Sequence, residues 1–234
     1  MPKKINIKGP IIDEADAWFY NWFNVPYTSP KCVMDQLPDC GEDVEVLINS
    51  GGGNLYAGIE IYTRLKDYKN VTTKIVGLAG SAASIIAMAG DKVEISPGGQ
   101  VMIHNVSCGI YGDNVVLDKE AEVLRGHDES VANIYALKTG RSSEELKNLM
   151  AKETWMNAQE ALEAGFVDSV MFQPDKPELV ANFGNLASRE AVSKLRDLIS
   201  KEKTAQARLE AIQANKHETD KPKNQDSPFM KFLF

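Results

Sequence analysis

Between residues 44 and 90 the chain passes twice from an apolar run through small residues into a helical pattern, which narrows the possible folds more than any other stretch. Val44-Glu-Val-Leu-Ile-Asn49 has the composition of a strand and runs directly into Ser50-Gly51-Gly52-Gly53. A helical pattern follows over about residues 55–68, and residues 72–76 supply the next strand. Strand, glycine loop, helix and strand make a βαβ unit, so the two strands lie parallel in one sheet. The second passage, Gly77-Leu-Ala-Gly80-Ser81-Ala-Ala-Ser84-Ile-Ile-Ala-Met-Ala-Gly90, predicts a tight turn bending at Gly80 and a buried helix from about Ala82. The class is therefore α/β, built from repeated βαβ units.

A helix starting near Ala82 points its unpaired N–H groups and positive dipole end at Ser81, where an oxyanion would be held. The same residues also suit a Gly/Ala-rich helix packed closely on a sheet, with serines that merely cap it. The loop at 50–53 lacks the Lys-Ser/Thr of a phosphate-binding loop, and GxGxxG does not occur in the right form, which argues against a nucleotide. Such a loop also lets a peptide backbone approach closely while free N–H groups face it.

Composition restricts partners and compartment. The net charge is −7, with 24 acidic against 15 basic residues in positions 1–173 and a slightly basic remainder, so no basic stripe offers itself to nucleic acid. Cys32, Cys40 and Cys108 are odd in number and follow no metal-ligand spacing, as expected of reduced thiols in the cytoplasm. No leader opens the chain, and the apolar run at 81–89 is too short to span a bilayer. A cytoplasmic protein with no membrane association, metal or cofactor is expected.

Around this centre, residues 5–7 read as a first strand stopped by Gly9-Pro10. Asp13 caps a helix to about Phe23, whose Trp18, Phe19, Trp22 and Phe23 are assigned to core or a subunit interface. Ser29-Pro30 starts a second helix ending near Leu37-Pro38. A strand at 92–95 and a Pro97-Gly98-Gly99 turn lead to Val101-Met-Ile-His104, a histidine ending an apolar strand. A long helical pattern over 114–137 carries Val115, Val116, Val123, Val131 and Leu137 on its apolar face and ends at Gly140. Ser142 with Glu145 and Asn157 with Glu160 read as capping boxes. Asp168 lies in a strand-like stretch at 166–172, where an aspartate is ordinarily a turn or cap residue. The predicted organisation is a body at 1–173, a linker at 174–187, a charged helical extension at 188–215 and a disordered or docking tail at 216–234.

Jointly these pieces resemble the Clp protease proteolytic subunit family, within the wider crotonase-like fold, over about residues 44–172. Asn49-Ser50-Gly51-Gly52-Gly53 is similar to the family's Asn-Ser-Pro-Gly-Gly loop, and Gly77-x-Ala79-Gly80-Ser81 to its nucleophile segment. Val101-Met-Ile-His104 resembles the histidine strand, residues 114–137 the handle helix, and Glu160-Ala161-x-x-Ala164-Gly165-x-Val167-Asp168-Ser169 the closing segment. The resemblance implies a Ser81, His104 and Asp168 triad, with Gly53 and Ala82 N–H groups as oxyanion hole and Gly51, Gly52 and Gly53 binding substrate as an added strand. Ser84 is expected to bond back within its helix rather than compete as nucleophile.

The departures from the family carry information too. Gly51 replaces a proline, Ala82 replaces a methionine, and the chain opens almost at its first strand, where the housekeeping enzyme has a segment that engages an ATP-driven unfoldase. With the charged tail, this is most similar to the head maturation proteases of tailed phages and prophages, which cleave scaffold or capsid proteins. The expectation is an ATP-independent serine endopeptidase forming a heptameric ring, stacked in one or two layers. The alternatives are an ATP-dependent subunit working with an unfoldase, a catalytically idle assembly ring, and an acyl-CoA-binding crotonase-like protein.

Overall fold

The computed structural model describes residues 1–38, 41–173 and 198–199. The chain divides into two units, Met1–Asp175 and Lys176–Phe234, and every element named below belongs to the first. Cys40, the expected linker at 174–187 and the tail at 216–234 lie outside the described residues. Of the extension at 188–215 only Leu198 and Ile199 are described, both helical and exposed.

Strands β1 (Lys3–Lys8), β2 (Val44–Ser50), β3 (Val71–Gly80), β4 (Lys92–Ile95) and β7 (Ser169–Val170) lie side by side in that order, all parallel. Their alternate residues are apolar and buried, among them Ile5, Ile7, Val46, Ile48, Ile75, Val93 and Ile95. β3 is long enough to serve two neighbours on one edge: Thr72 to Ile75 pair with β4, and Leu78 to Gly80 pair with β5 (Gln100–Ile103). β6 (Thr154–Asn157) then pairs antiparallel with β5.

Helix α1 (Ala17–Trp22) follows a short 3-10 turn that Asp13 caps, and α2 (Pro30–Met34) is capped by Ser29. The α1 aromatics do not enter the core: Trp18 and Trp22 are 68% and 80% exposed, with Phe19 and Phe23 also out. Helix α3 (Leu55–Asp67) buries Ala57, Ile61 and Leu65, one face at four-residue spacing, against the sheet and α4 (Ala82–Ala87). α4 is buried all round.

Helix α5 (Asn114–Thr139) buries Val131, Ala132 and Tyr135 in its C-terminal half and ends at a left-handed Gly140. Val115, Val116, Val123 and Leu137 of its expected apolar face are exposed. Ser142 caps α6 (Ser143–Ala151), and Asn157 with Glu160 closes a capping box on α7 (Ala158–Glu163).

Two local expectations give way. Residues 77–80 are strand rather than turn, because Ala79 pairs with both Ser50 and Val101 and so continues the ladder. β6 is an additional strand, short and paired only with a segment some fifty residues away in sequence.

Candidate active site

Parallel strands align their carboxyl ends, so pairing Gly80 with Met102 places Ser81 and His104 together just beyond the sheet. The chain reverses at Ser81 itself, whose φ of 51° and ψ of −125° are a conformation that costs a non-glycine residue about 1–3 kcal/mol. That geometry is held by the Ser81 N–H donating to Met102 O at 2.9 Å and by Ser84 N–H donating to Ser81 O at 2.9 Å. It leaves Ser81 Oγ 2.8 Å from His104 Nε2, with both residues half-buried. If Nδ1 carries the imidazole proton, Nε2 accepts the serine hydroxyl proton, the arrangement an activated serine needs.

The loop beneath is fixed residue by residue. Asn49 Oδ1 accepts from Leu78 N–H at 3.1 Å, which needs the missing side chain of Gly77, where a Cβ would stand 2.4 Å from that oxygen. Ser50 Oγ donates to Gly9 O and accepts from Gly52 N–H. Gly52, at φ +100°, lies so close that a Cβ would meet Gly80 O and Ser81 Cβ at 2.7 Å.

Gly53 forms a parallel bridge with Ile11: Ile11 N–H donates to Gly52 O at 2.9 Å, and Asn54 N–H donates to Ile11 O at 2.7 Å. In that pattern the flanking residues make the bonds, so Gly53 directs its own N–H away from Ile11. Ala82 opens α4 and its N–H has no partner within the helix. Gly53, Ala82, Ser81 and His104 line one cleft of about 460 Å³, walled by apolar residues such as Ile85 and Val131. Gly51 is exposed, with nothing within 4 Å of a Cβ, so the space there demands no glycine.

Asp168 is not brought to this pair. Its backbone N–H bonds Val93 O, and its Oδ2 accepts from Val93 N–H at 2.7 Å and from Lys138 Nζ at 2.6 Å. Val93 pairs with Thr73 on β3, whereas Met102 pairs with Gly80, roughly 20 Å further along at about 3.3 Å per residue. The expected triad acid is thus a structural carboxylate tying β4 to the end of α5.

The strand register points instead to Glu153. Ile103 pairs with Thr154, so the next step along this antiparallel ladder sets Glu153 opposite His104, with Cα atoms expected about 5 Å apart. Glu153 has a positive φ of 47°, and its Oε1 accepts from Trp155 Nε1 at 3.1 Å. Among the described residues no carboxylate is hydrogen-bonded to the His104 ring. The sequence signal for Glu153 was Thr154-Trp155-Met156, a β-branched and aromatic run between the end of α6 and the Asn157 cap. Ser84, fully buried, donates from Oγ to Ser81 O at 2.6 Å, the back-bonding expected of it.

A strained serine hydrogen-bonded to a histidine, at the carboxyl end of a parallel sheet and beside a glycine loop, is an arrangement suited to a hydrolase, in an α/β protein of crotonase-like fold. The model of the family described as Clp protease matches residues 32–174, and the chain belongs to that family. The ATP-dependent Clp protease proteolytic subunit of Deinococcus radiodurans is 36% identical over 136 residues, 56% of this chain and 66% of the relative. The ATP-dependent Clp protease proteolytic subunit 1 of Chlamydia trachomatis is 32% identical over 143 residues, 58% of this chain and 74% of the relative. The chain thus spans about two thirds to three quarters of these relatives. Among the described residues, no helix is long and apolar enough to cross a membrane, and no group of three or more His, Cys, Asp or Glu is placed to hold a metal ion.

Proposed function

We propose that this chain is a serine endopeptidase of the Clp type, with Ser81 as nucleophile and His104 as general base and acid. Ser81 Oγ attacks the scissile carbonyl carbon while His104 Nε2 takes the hydroxyl proton, then returns it to the leaving amine. Water enters by the same route in reverse and releases the acyl group from Ser81. Gly53 and Ala82 N–H groups receive the oxyanion, each worth on the order of 10²- to 10³-fold in rate. The substrate lies extended along residues 51–53, adding a strand to the open backbone there. Glu153, not Asp168, accepts a hydrogen bond from His104 Nδ1–H and so fixes the tautomer, after its side chain turns from Trp155.

The 2.8 Å hydrogen bond between Ser81 and His104 carries this reading. Purified chain is expected to cleave an unfolded protein such as casein without nucleotide. Ser81→Ala and His104→Ala should each lower turnover by at least about 10⁴-fold; unaltered cleavage in either variant would overturn the assignment.

Within the family, we assign the chain to the head maturation branch, acting in the host cytoplasm on phage scaffold or capsid protein as a heptameric ring. Gly51, Ala82 and the charged segment at 188–215 support this. The names of the matched relatives favour a second reading, an ATP-dependent subunit partnered by an unfoldase. Portal and major capsid genes beside the reading frame, with cleavage of the encoded scaffold or capsid protein, are expected on the first reading. ATP-stimulated degradation of folded protein by a co-encoded unfoldase is expected on the second.

A further inference from the structure

Two hydroxyl groups beneath the cleft, on Ser84 and Tyr135, have no part in the proposed chemistry, yet they form a directed chain to the nucleophile. Both residues are buried, at 0% and 1% exposure. Ser84 Oγ commits its proton to Ser81 O at 2.6 Å, so the 2.7 Å contact with Tyr135 is the phenol donating to Ser84 Oγ. Burial pushes the Tyr135 phenol well above its ordinary pKa, against the pull of the Ser84 bond, so it remains a donor throughout the working range. The Tyr135 ring packs edge-on to Phe166, at 5.5 Å between centroids, which fixes where the hydroxyl sits.

The chain ends on one peptide unit. Ser81 C=O and Ala82 N–H belong to the same planar trans peptide and point in opposite directions, so holding one aims the other. Ser81 φ lies in a region that local sterics do not favour, and the orientation of that peptide therefore depends on its partners. Building on the assignment of Ser81 as nucleophile, we propose that Tyr135 and Ser84 are positioning residues. With the Ser84 and Ile85 N–H groups that bond the same oxygen, they hold the Ser81 carbonyl so that the Ala82 N–H faces the oxyanion, and they make catalytic competence depend on the seating of α5, the helix that also walls the cleft.

A merely structural pair would satisfy its own buried polar groups and nothing more. Combining Ser84→Ala with Tyr135→Phe would then cost little, since removing both partners together is nearly neutral. The test is a cycle of Ser84→Ala, Tyr135→Phe and the double variant in the full chain. It reads kcat and KM on a peptide, the Ki of a matching peptide aldehyde whose adduct carries the oxyanion, and Tm. Each single variant is expected to lose about tenfold in kcat, a fraction of what losing the donor itself would cost, with KM within about twofold and aldehyde Ki rising in step. In the double variant Tm should recover towards wild type while kcat stays low. Recovery of kcat together with Tm, or wild-type kcat in all three, would overturn the proposal. If Ser84→Ala does not fold, Tyr135→Phe and the double variant still decide it. A parallel Ser81→Ala control keeps the two claims apart. Turnover in that control would overturn the nucleophile assignment, whereas an inactive control beside fully active relay variants would overturn only the relay.

Discussion

Asp168 and Glu153 are both exposed carboxylates near the end of the described body, and their neighbours give them opposite work. Asp168 is spent on Val93 and Lys138, so Asp168→Asn should lower Tm while leaving kcat within about threefold. Glu153→Gln removes the carboxylate that the ladder, extended by one residue, sets opposite His104 and should lower kcat by about 10²- to 10⁴-fold with little change in Tm. Steady-state kinetics on the two variants side by side distinguish them, and the reverse ranking would restore Asp168. Gly52→Ala is a harsher change: a Cβ 2.7 Å from Gly80 O at φ +100° forces the loop off Ser81. Loss of at least about a hundredfold in kcat is expected, with the oxyanion donors displaced. His104 could be read locally as the end of an apolar strand, and Ser81 as the residue between a run of small residues and a buried helix. The role proposed for Glu153 was not legible, because it depends on a four-residue strand whose pairing is non-local.

Among elements, β3 does the most to build the site, since its second half recruits β5 and so brings the histidine strand to the serine. Helix boundaries were legible where a cap fixes them, as at Ser29, Ser142, Asn157 and Gly140. They were less so at residues 77–80, where a run of small residues signals a turn but the strand ladder outweighs it. Helix α5 is tied to α6 by Glu129, which accepts from Lys147 Nζ and Ser143 Oγ. These donors hold the Glu129 carboxyl below its ordinary value near 4.5. A lowered folded-state pKa contributes stability above the ordinary value and loses it as pH falls through the folded one. Glu129→Gln should therefore show a small Tm deficit at neutral pH that shrinks below about pH 4.5 and vanishes in stronger acid. A deficit independent of pH would show that packing, not the charge, holds the two helices.

For the whole molecule, what stays exposed is as telling as what is buried. Val115, Val116 and Leu137 on α5, and Trp18, Trp22 and Phe23 on and beside α1, leave more large apolar side chains in water than a solitary domain of this size needs. Their periodicity was legible, but not which surface would cover them, because a single chain holds only half of any contact. Light scattering on the purified chain should give a mass several times that of one subunit, and a stable monomer would contradict the proposed ring. The proposed chemistry of the cleft, however, rests on Ser81. The most direct measurement is intact-mass and peptide mapping after treatment with a fluorophosphonate. One adduct per chain located on Ser81, absent from Ser81→Ala and strongly slowed in His104→Ala, is the predicted result. No adduct on folded wild-type chain, or an adduct that survives Ser81→Ala, would contradict the account.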